Sequence, residues 1–351
     1  MASPERVLVM APNWLGDAVM ALPAIADVRR GFPTSRLAIA ARPSVADLFG
    51  LVPGVDHVVR LESSGRWSKR QAFGRDAARL AAVGDVALIL PNSFASAWLA
   101  RRAGIPERWG YAADWRSTLL TRSVPRPRGS LHQGAYYQAL TRALGVESGP
   151  LEPNLTVPDV VTASARAQLM EAGWDGRSSL IVFAPGAAYG TAKRWIPAHV
   201  ATLITNLIDT RGVTCVLIGS GGDIPTTRQI VSLVGNHLID LAGRTTLPAM
   251  AAILSLARAC VSNDSGAMHV AGAVGTPIAA IFGPTREAET APLTRARGRA
   301  EVITHTVWCR PCMLRECPID HRCMKGITPA RVQIAMDRLM GSDPQTRGDS
   351  R

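Results

Sequence analysis

The sequence predicts an α/β protein of two doubly wound, Rossmann-like domains facing a central cleft. Three observations predict it. Short β-branched apolar runs alternate with longer helical patterns along the chain, which is how parallel sheets covered on both faces read. One stretch near the middle, "VESGPLEPNLTVPD" (146–159), has four Pro/Gly breaks and little periodicity, so it reads as a linker. A length of 351 residues suits two ordinary domains, each able to bury its own core.

The elements follow in order. In the first half the strands are "RVLVMA" (6–11), "RLAIAA" (36–41), "HVVRL" (57–61) and "VALIL" (86–90). Helical patterns such as "AVMALPAIADVRRGF" (18–32) and "KRQAFGRDAARLAAV" (69–83) separate them. In the second half the strands are "LIVFA" (180–184), "VTCVLIG" (213–219), "HLIDLA" (237–242), "ACVSN" (259–263) and "PIAAIFG" (277–283). The predicted domains are 1–155 and 160–327, followed by a C-terminal helix over 328–341 and a polar tail over 342–351.

Charge and composition narrow the function. Lys and Arg number 39 against 27 Asp and Glu, a net charge of +12, which favours anionic partners. Nucleic acid is not expected among them, because there is no zinc-finger spacing, no aromatic-basic ribonucleoprotein motif and no long Lys/Arg run. The start of the chain lacks a signal-peptide pattern, and no stretch reaches the roughly 18–20 apolar residues that span a bilayer. A cytoplasmic protein with only peripheral membrane contact is the expectation. Cys215 and Cys260 sit in apolar runs and read as buried small hydrophobes. Cys309, Cys312, Cys317 and Cys323 crowd into "CRPCMLRECPIDHRC". They could wrap one zinc or iron–sulfur site, although the spacing matches no common pattern. The segment lies outside the sugar- and phosphate-directed motifs, so a metal held there would be structural.

Those motifs all follow predicted strands, where open α/β sheets bind ligands. In "MAPNWLGDAVM" (10–20), Asp17 reads either as a first-turn residue facing the helix dipole or as a carboxylate placed to take a proton. In "FAPGAAYGTAKRW" (183–195), small residues including Gly186 and Ala188 let backbone amides approach a diphosphate, while Thr191 adds a hydroxyl and Lys193 a charge. Of the 39 basic residues only Lys69, Lys193 and Lys325 are lysines, so a lysine inside a motif stands out. In "VSNDSGAMHV" (261–270), Asn263 or Asp264 is the expected helix N-cap. Ser265 and Gly266 then fall in the first turn, whose free N–H groups attract phosphate, and His269 lies one turn further on. In "LPNSFASA" (90–97), Asn92 and Ser93 read either as sugar-hydroxyl partners or as a simple helix cap. The basic stretch 60–79, with Arg66, Lys69 and Arg70 at its centre, is either an anion-holding surface or a solvated helix face.

Taken together, "PNWLGDAVMALPA", "LPNSFASA", "PGAAYGTAKRW" and "SNDSGAMHVAGAVGTPIAAIFGPT" resemble the ADP-heptose:lipopolysaccharide heptosyltransferases, over about residues 6–340. The "LPNSF" and "PGAAYGTAKRW" forms are most similar to the heptosyltransferase II branch, which adds the second heptose of the inner core. The resemblance implies a two-domain GT-B fold and inverting transfer from ADP-heptose to a lipid-linked core sugar at the cytoplasmic face of the inner membrane, with no metal required. It implies that Asp17 is the base; Asn92, Ser93 and the Arg66, Lys69 and Arg70 stretch are read from the residues themselves as the acceptor side. It places Gly186, Ala188, Thr191, Lys193, Asp264, Ser265, Gly266 and His269 against the donor. A heptosyltransferase I or later branch, an epimerase of the same build, or a non-catalytic nucleotide-sugar-binding protein are the competing readings.

Overall fold

The structure, a computed structural model, describes residues 4–62, 70–295 and 298–341. The expected tail therefore lies outside the described residues. The chain divides into two compact units, Met1–Thr156 and Val157–Arg351. The first contains strands β1 (Arg6–Met10), β2 (Arg36–Ala41), β3 (His57–Arg60), β4 (Val86–Ile89), β5 (Glu107–Tyr111) and β6 (Arg122–Val124). The second contains β7 (Leu180–Ala184), β8 (Thr214–Leu217), β9 (Leu238–Asp240), β10 (Ala259–Asn263), β11 (Ile278–Phe282) and β12 (Ala300–Thr304).

Each unit has one six-stranded sheet, ordered β3-β2-β1-β4-β5-β6 in the first and β12-β11-β10-β7-β8-β9 in the second. Every pairing is parallel. Both are the doubly wound order, in which the chain starts at the centre, runs to one edge, returns and runs to the other. The order reverses between β1 and β4 in the first unit and between β7 and β10 in the second. These four strands are buried almost throughout, which is why they read as unbroken apolar runs. At the amino edge of the first sheet, Asp85 accepts from the Arg6 backbone N–H at 3.0 Å and pairs with its guanidinium at 2.5 Å. That edge is stitched by local pairs, whereas the carboxyl edge carries the motifs.

Three strands escape the apolar-run reading: β5, β6 and β12. The last two close sheet edges and read "RSV" and "AEVIT", with exposed and half-exposed positions, because an edge strand is dry on few sides. The pattern read as one helix over 18–32 is two, Leu15–Met20 and Leu22–Gly31. Pro23 lacks an N–H and sits in the first turn of the second, where that donor would have no partner anyway. Among the described residues no helix is long and apolar enough to cross a membrane.

Candidate active site

In the second unit the two motifs come from β7 and β10, neighbours across the point of reversal. Asn263, the last residue of β10, is not the helix cap the sequence suggests. Its side-chain oxygen accepts from the Trp195 N–H at 3.1 Å, and its amide nitrogen donates to the Pro185 carbonyl at 2.6 Å. It thereby ties the loop after β7 to the end of β10. Asp264 is not the cap either: its N–H donates to the Ile281 carbonyl at 3.1 Å. Its carboxylate Oδ2 takes Lys193 Nζ at 2.6 Å and Thr285 Oγ1 at 2.6 Å. Ser265, in extended backbone, is the residue that caps the helix Gly266–Val274, without a side-chain capping bond. The amides of that first turn have no capping side chain, and they stand beside a buried ion pair.

Lys193 and Asp264 leave only 13% and 5% of their side chains exposed. Such a pair is held in place by what surrounds it, and the ammonium also lies 4.9 Å from the centre of the Tyr189 ring. His269 is buried one turn into its helix. Thr191 and Ala188 are exposed, and Gly186 is buried. The space a Cβ would take at Gly186 is filled by the carboxylate of Asp223, at 2.2–2.5 Å. Glycine there leaves room for Asp223 to cap the turn after β8, where it accepts from Ser220 N–H at 2.9 Å and Ser220 Oγ at 2.8 Å.

The Cys-rich segment does not lie apart from this site. Ala192 N–H donates to the Arg315 carbonyl at 3.0 Å, Tyr189 Oη donates to the Met313 carbonyl at 3.0 Å, and the Arg315 guanidinium covers the Tyr189 ring at 5.1 Å. On its other side, Met313 N–H reaches the Pro284 carbonyl at 2.9 Å. Arg310 donates to the Gly283 carbonyl at 2.7 Å and pairs with Glu287 at 2.6 Å. The segment braces the Lys193 loop against the Thr285 loop. Cys309, Cys312, Cys317 and Cys323 are free thiols. Among the described residues no group of three or more His, Cys, Asp or Glu is arranged to hold a metal ion. Burial raises the pKa of the Cys323 thiol, and the other three thiols raise it further. Cys317 Sγ instead accepts from the His321 N–H at 3.3 Å.

In the first unit the residues follow β1 and β4, again neighbours across the reversal. Asp17 lies half-buried in the first turn of the helix Leu15–Met20. Tyr137 lies close enough that the Asp17 charge adds to burial in holding its phenol well above the usual value. Tyr136, the preceding residue, accepts from the Asn92 side-chain amide at 2.9 Å and packs on Tyr111, with ring centres 4.6 Å apart. The helix Gln133–Ala143 thus brings consecutive tyrosines near both candidate residues, Tyr136 bonded to Asn92 and Tyr137 within reach of the Asp17 charge. The motifs did not include these rings, yet a signal was present. The chain has only four tyrosines; Tyr111, Tyr136 and Tyr137 gather here and Tyr189 stands in the other site. Ser93 is the N-cap of the helix Phe94–Arg102, its Oγ accepting from Ser96 N–H at 3.3 Å. Arg66 and Lys69 lie outside the described residues, as does the side chain of Arg70. Around them, Arg60 pairs with Asp47, and Arg75 and Arg79 pair with Glu62.

The family model for glycosyltransferase family 9 (heptosyltransferase) matches residues 77–322, a span running from the first unit through the brace. The chain belongs to glycosyltransferase family 9. This family 9 transferase is 30% identical over 353 residues to lipooligosaccharide heptosyltransferase 2 of Haemophilus ducreyi, covering 95% of this chain and 99% of the relative. The solved structure of the E. coli ADP-heptose lipopolysaccharide heptosyltransferase II superposes with a TM-score of 0.80 at 28% identity, covering 95% of this chain and 98% of that one. An E. coli heptosyltransferase solved with ADP shares the fold, with a TM-score of 0.72 at 17% identity and coverage of 95% and 99%. The expected GT-B fold and the likeness to the heptosyltransferase II branch are therefore both met.

Proposed function

We propose that this transferase moves a heptose from ADP-heptose to the first heptose of a lipopolysaccharide inner core, with inversion at the anomeric carbon. The observation that carries the reading is the buried Lys193–Asp264–Thr285 network at the point where the second sheet reverses its strand order, in a family 9 chain. The second unit holds the donor. Lys193 and the first-turn amides of Gly266–Val274 take the charge that grows on the departing diphosphate. Two donors fill Oδ2 of Asp264, which leaves Oδ1 for a sugar hydroxyl. Thr191 and the backbone around Gly186 and Ala188 complete the pocket, with Ser265, Gly266 and His269 at its helix start. The first unit holds the acceptor, with Asn92 on a sugar hydroxyl, and the Arg66, Lys69 and Arg70 stretch toward its anionic groups. The acceptor hydroxyl oxygen attacks the anomeric carbon, the bond from that carbon to the diphosphate oxygen breaks, and ADP leaves with the electron pair. The hydroxyl proton passes to Asp17. Turnover needs no divalent metal, since Lys193 and the helix amides do its electrostatic work. Because the acceptor is lipid-linked, the enzyme acts as a peripheral protein at the cytoplasmic face of the inner membrane, where a net charge of +12 favours the anionic surface.

Asp17→Asn tests this. It keeps the size and most of the hydrogen bonding while removing the basicity, so kcat falls about 10²–10⁴-fold, the usual worth of a general base. ADP binding stays near wild type. The assay is ADP release dependent on an inner-core acceptor ending in a single heptose. Wild-type turnover by a folded Asp17→Asn protein would return Asp17 to a first-turn role, which Asn fills equally well.

A further inference from the structure

The turn after β5 carries a feature that neither packing nor the residues assigned above explain. Asp114 and Trp115 both adopt left-handed backbone, with φ of 50° and 56°. A bulky residue is an outlier there, because its Cβ crowds the following carbonyl, while glycine would take the same conformation freely. Yet the indole of Trp115 is 94% exposed, so the strain is not offset by burial. The turn is fastened on both sides of it. Asp114 accepts from the Phe94 N–H at 2.8 Å. Arg116 is completely buried, with its guanidinium on the Tyr111 carbonyl at 3.0 Å, Ser96 Oγ at 3.3 Å and the Pro91 carbonyl. Burial lowers its pKa to about 10, so it remains a cation at neutral pH, spent on holding the loop after β4. Trp115 therefore stands on a turn bolted to the turn that carries Asn92. The side-chain oxygen of Asn92 is itself buried without a hydrogen-bond partner, which is the kind of vacancy a ligand hydroxyl fills. Phe94 and Trp98, stacked at 6.5 Å and 15°, flank the same loop.

Resting on the acceptor assignment above, we propose that Trp115 is an aromatic platform of the acceptor subsite, receiving the apolar C–H face of a sugar ring whose hydroxyl reaches Asn92. Backbone strain kept at an exposed position is characteristic of ligand clamps, and tryptophan offers a large rigid face with little side-chain entropy to lose. A bilayer is the weaker match. Exposed tryptophans at a membrane surface work with neighbouring cations. Here the adjoining residue is Asp114, and the only basic residue between Ala112 and Leu120 is the buried Arg116.

The test uses full-length protein and a water-soluble, deacylated inner-core oligosaccharide ending in a single heptose. Its KM is measured at saturating ADP-heptose, and its Kd is measured by calorimetry in the presence of ADP. Trp115→Gly raises both by about 3- to 10-fold, the scale of one lost aromatic contact, while ADP affinity is unchanged. Its Tm does not fall, since the indole buries little and glycine relieves the backbone. Trp115→Tyr, which keeps an aromatic face, recovers most of the acceptor affinity. A folded Trp115→Gly protein with wild-type KM and Kd for the oligosaccharide overturns the platform. So does loss of binding to phosphatidylglycerol vesicles with oligosaccharide affinity intact, which would assign the ring to the membrane. If the wild type binds the oligosaccharide but transfers no heptose, the transferase reading falls while the calorimetry still judges the platform. If it does not bind it, the platform falls too.

Discussion

Lys193 and Asp264 are 71 residues apart in sequence and 2.6 Å apart in the fold. Asp264 is buried and Lys193 largely so, so removing one strands the other's charge in a poorly solvated place, at a cost of up to about 3–5 kcal/mol. In the proposed function the pair also faces the donor, so stability and catalysis are expected to fall together. Lys193→Ala should lose about 2–4 kcal/mol of transition-state stabilisation in kcat/KM, the scale of one electrostatic donor, and should lower Tm. Lys193→Arg should restore little of either, because a planar fork does not fit where a compact ammonium meets one carboxylate oxygen and the Tyr189 ring. Steady-state kinetics and a melting curve on the two variants check this; full activity in the arginine variant would mean that bulk charge alone matters. Thr285 supplies the second bond to the same oxygen, and its loss in Thr285→Val should cost about 1.5–3 kcal/mol, as for a hydrogen bond to a charged group.

Between elements, the glycines of the β7 loop serve packing as much as ligand approach. At Gly186 the room belongs to the Asp223 carboxylate, which in turn organises the turn Ser220–Asp223 after β8. Gly186→Ala forces Asp223 out of that place and undoes the reciprocal cap, so we expect a loss of about 1–3 kcal/mol, typical of overpacking. Thermal or urea unfolding reads it directly, and an unchanged midpoint would show that the carboxylate has somewhere else to go. Gly190 belongs to the same account from the other side, since a Cβ there would sit 2.2 Å from the Arg315 carbonyl. The Cys-rich segment is thus better described as a brace for the Lys193 and Thr285 loops than as an independent module. Its thiols lie along that brace.

Across the whole molecule, the two units carry different residue sets on the same architecture. Each places them after the two strands that flank its reversal: Asp17 and Asn92 after β1 and β4, Lys193 and Asp264 after β7 and β10. Hydrogen exchange of the intact chain should report that division. ADP-heptose should slow exchange most at 186–193, 264–268, 283–287 and 313–315. The soluble acceptor oligosaccharide should slow it most at 12–17, 91–94 and 112–116. Protection is expected there because bound ligands tie up amides that otherwise open locally. Donor protection concentrated in the first unit instead would reverse the assignment of the two.

The sequence by itself determined the class of fold and the places where chemistry occurs. Alternation of apolar runs with helical patterns is a local record of burial, so β1, β4, β7 and β10, buried almost throughout, could be read directly. The polar breaks that end them marked the site loops. It could not determine which breaks meet. That Asn263 would tie two loops together instead of capping a helix, and that Asp264 would take Lys193, depended on β7 and β10 becoming neighbours. A periodicity says that a face is buried without saying against what. The same limit hid Tyr136 and Tyr137, whose meaning comes from the helix Gln133–Ala143 packing on the helices after β1 and bonding the loop after β4. It also hid the Cys-rich brace, whose bonds run to loops more than twenty residues away in sequence, and the turn at Trp115. That turn is held by Arg116 and Asp114 reaching across to the loop after β4, long-range contacts that local propensity does not encode.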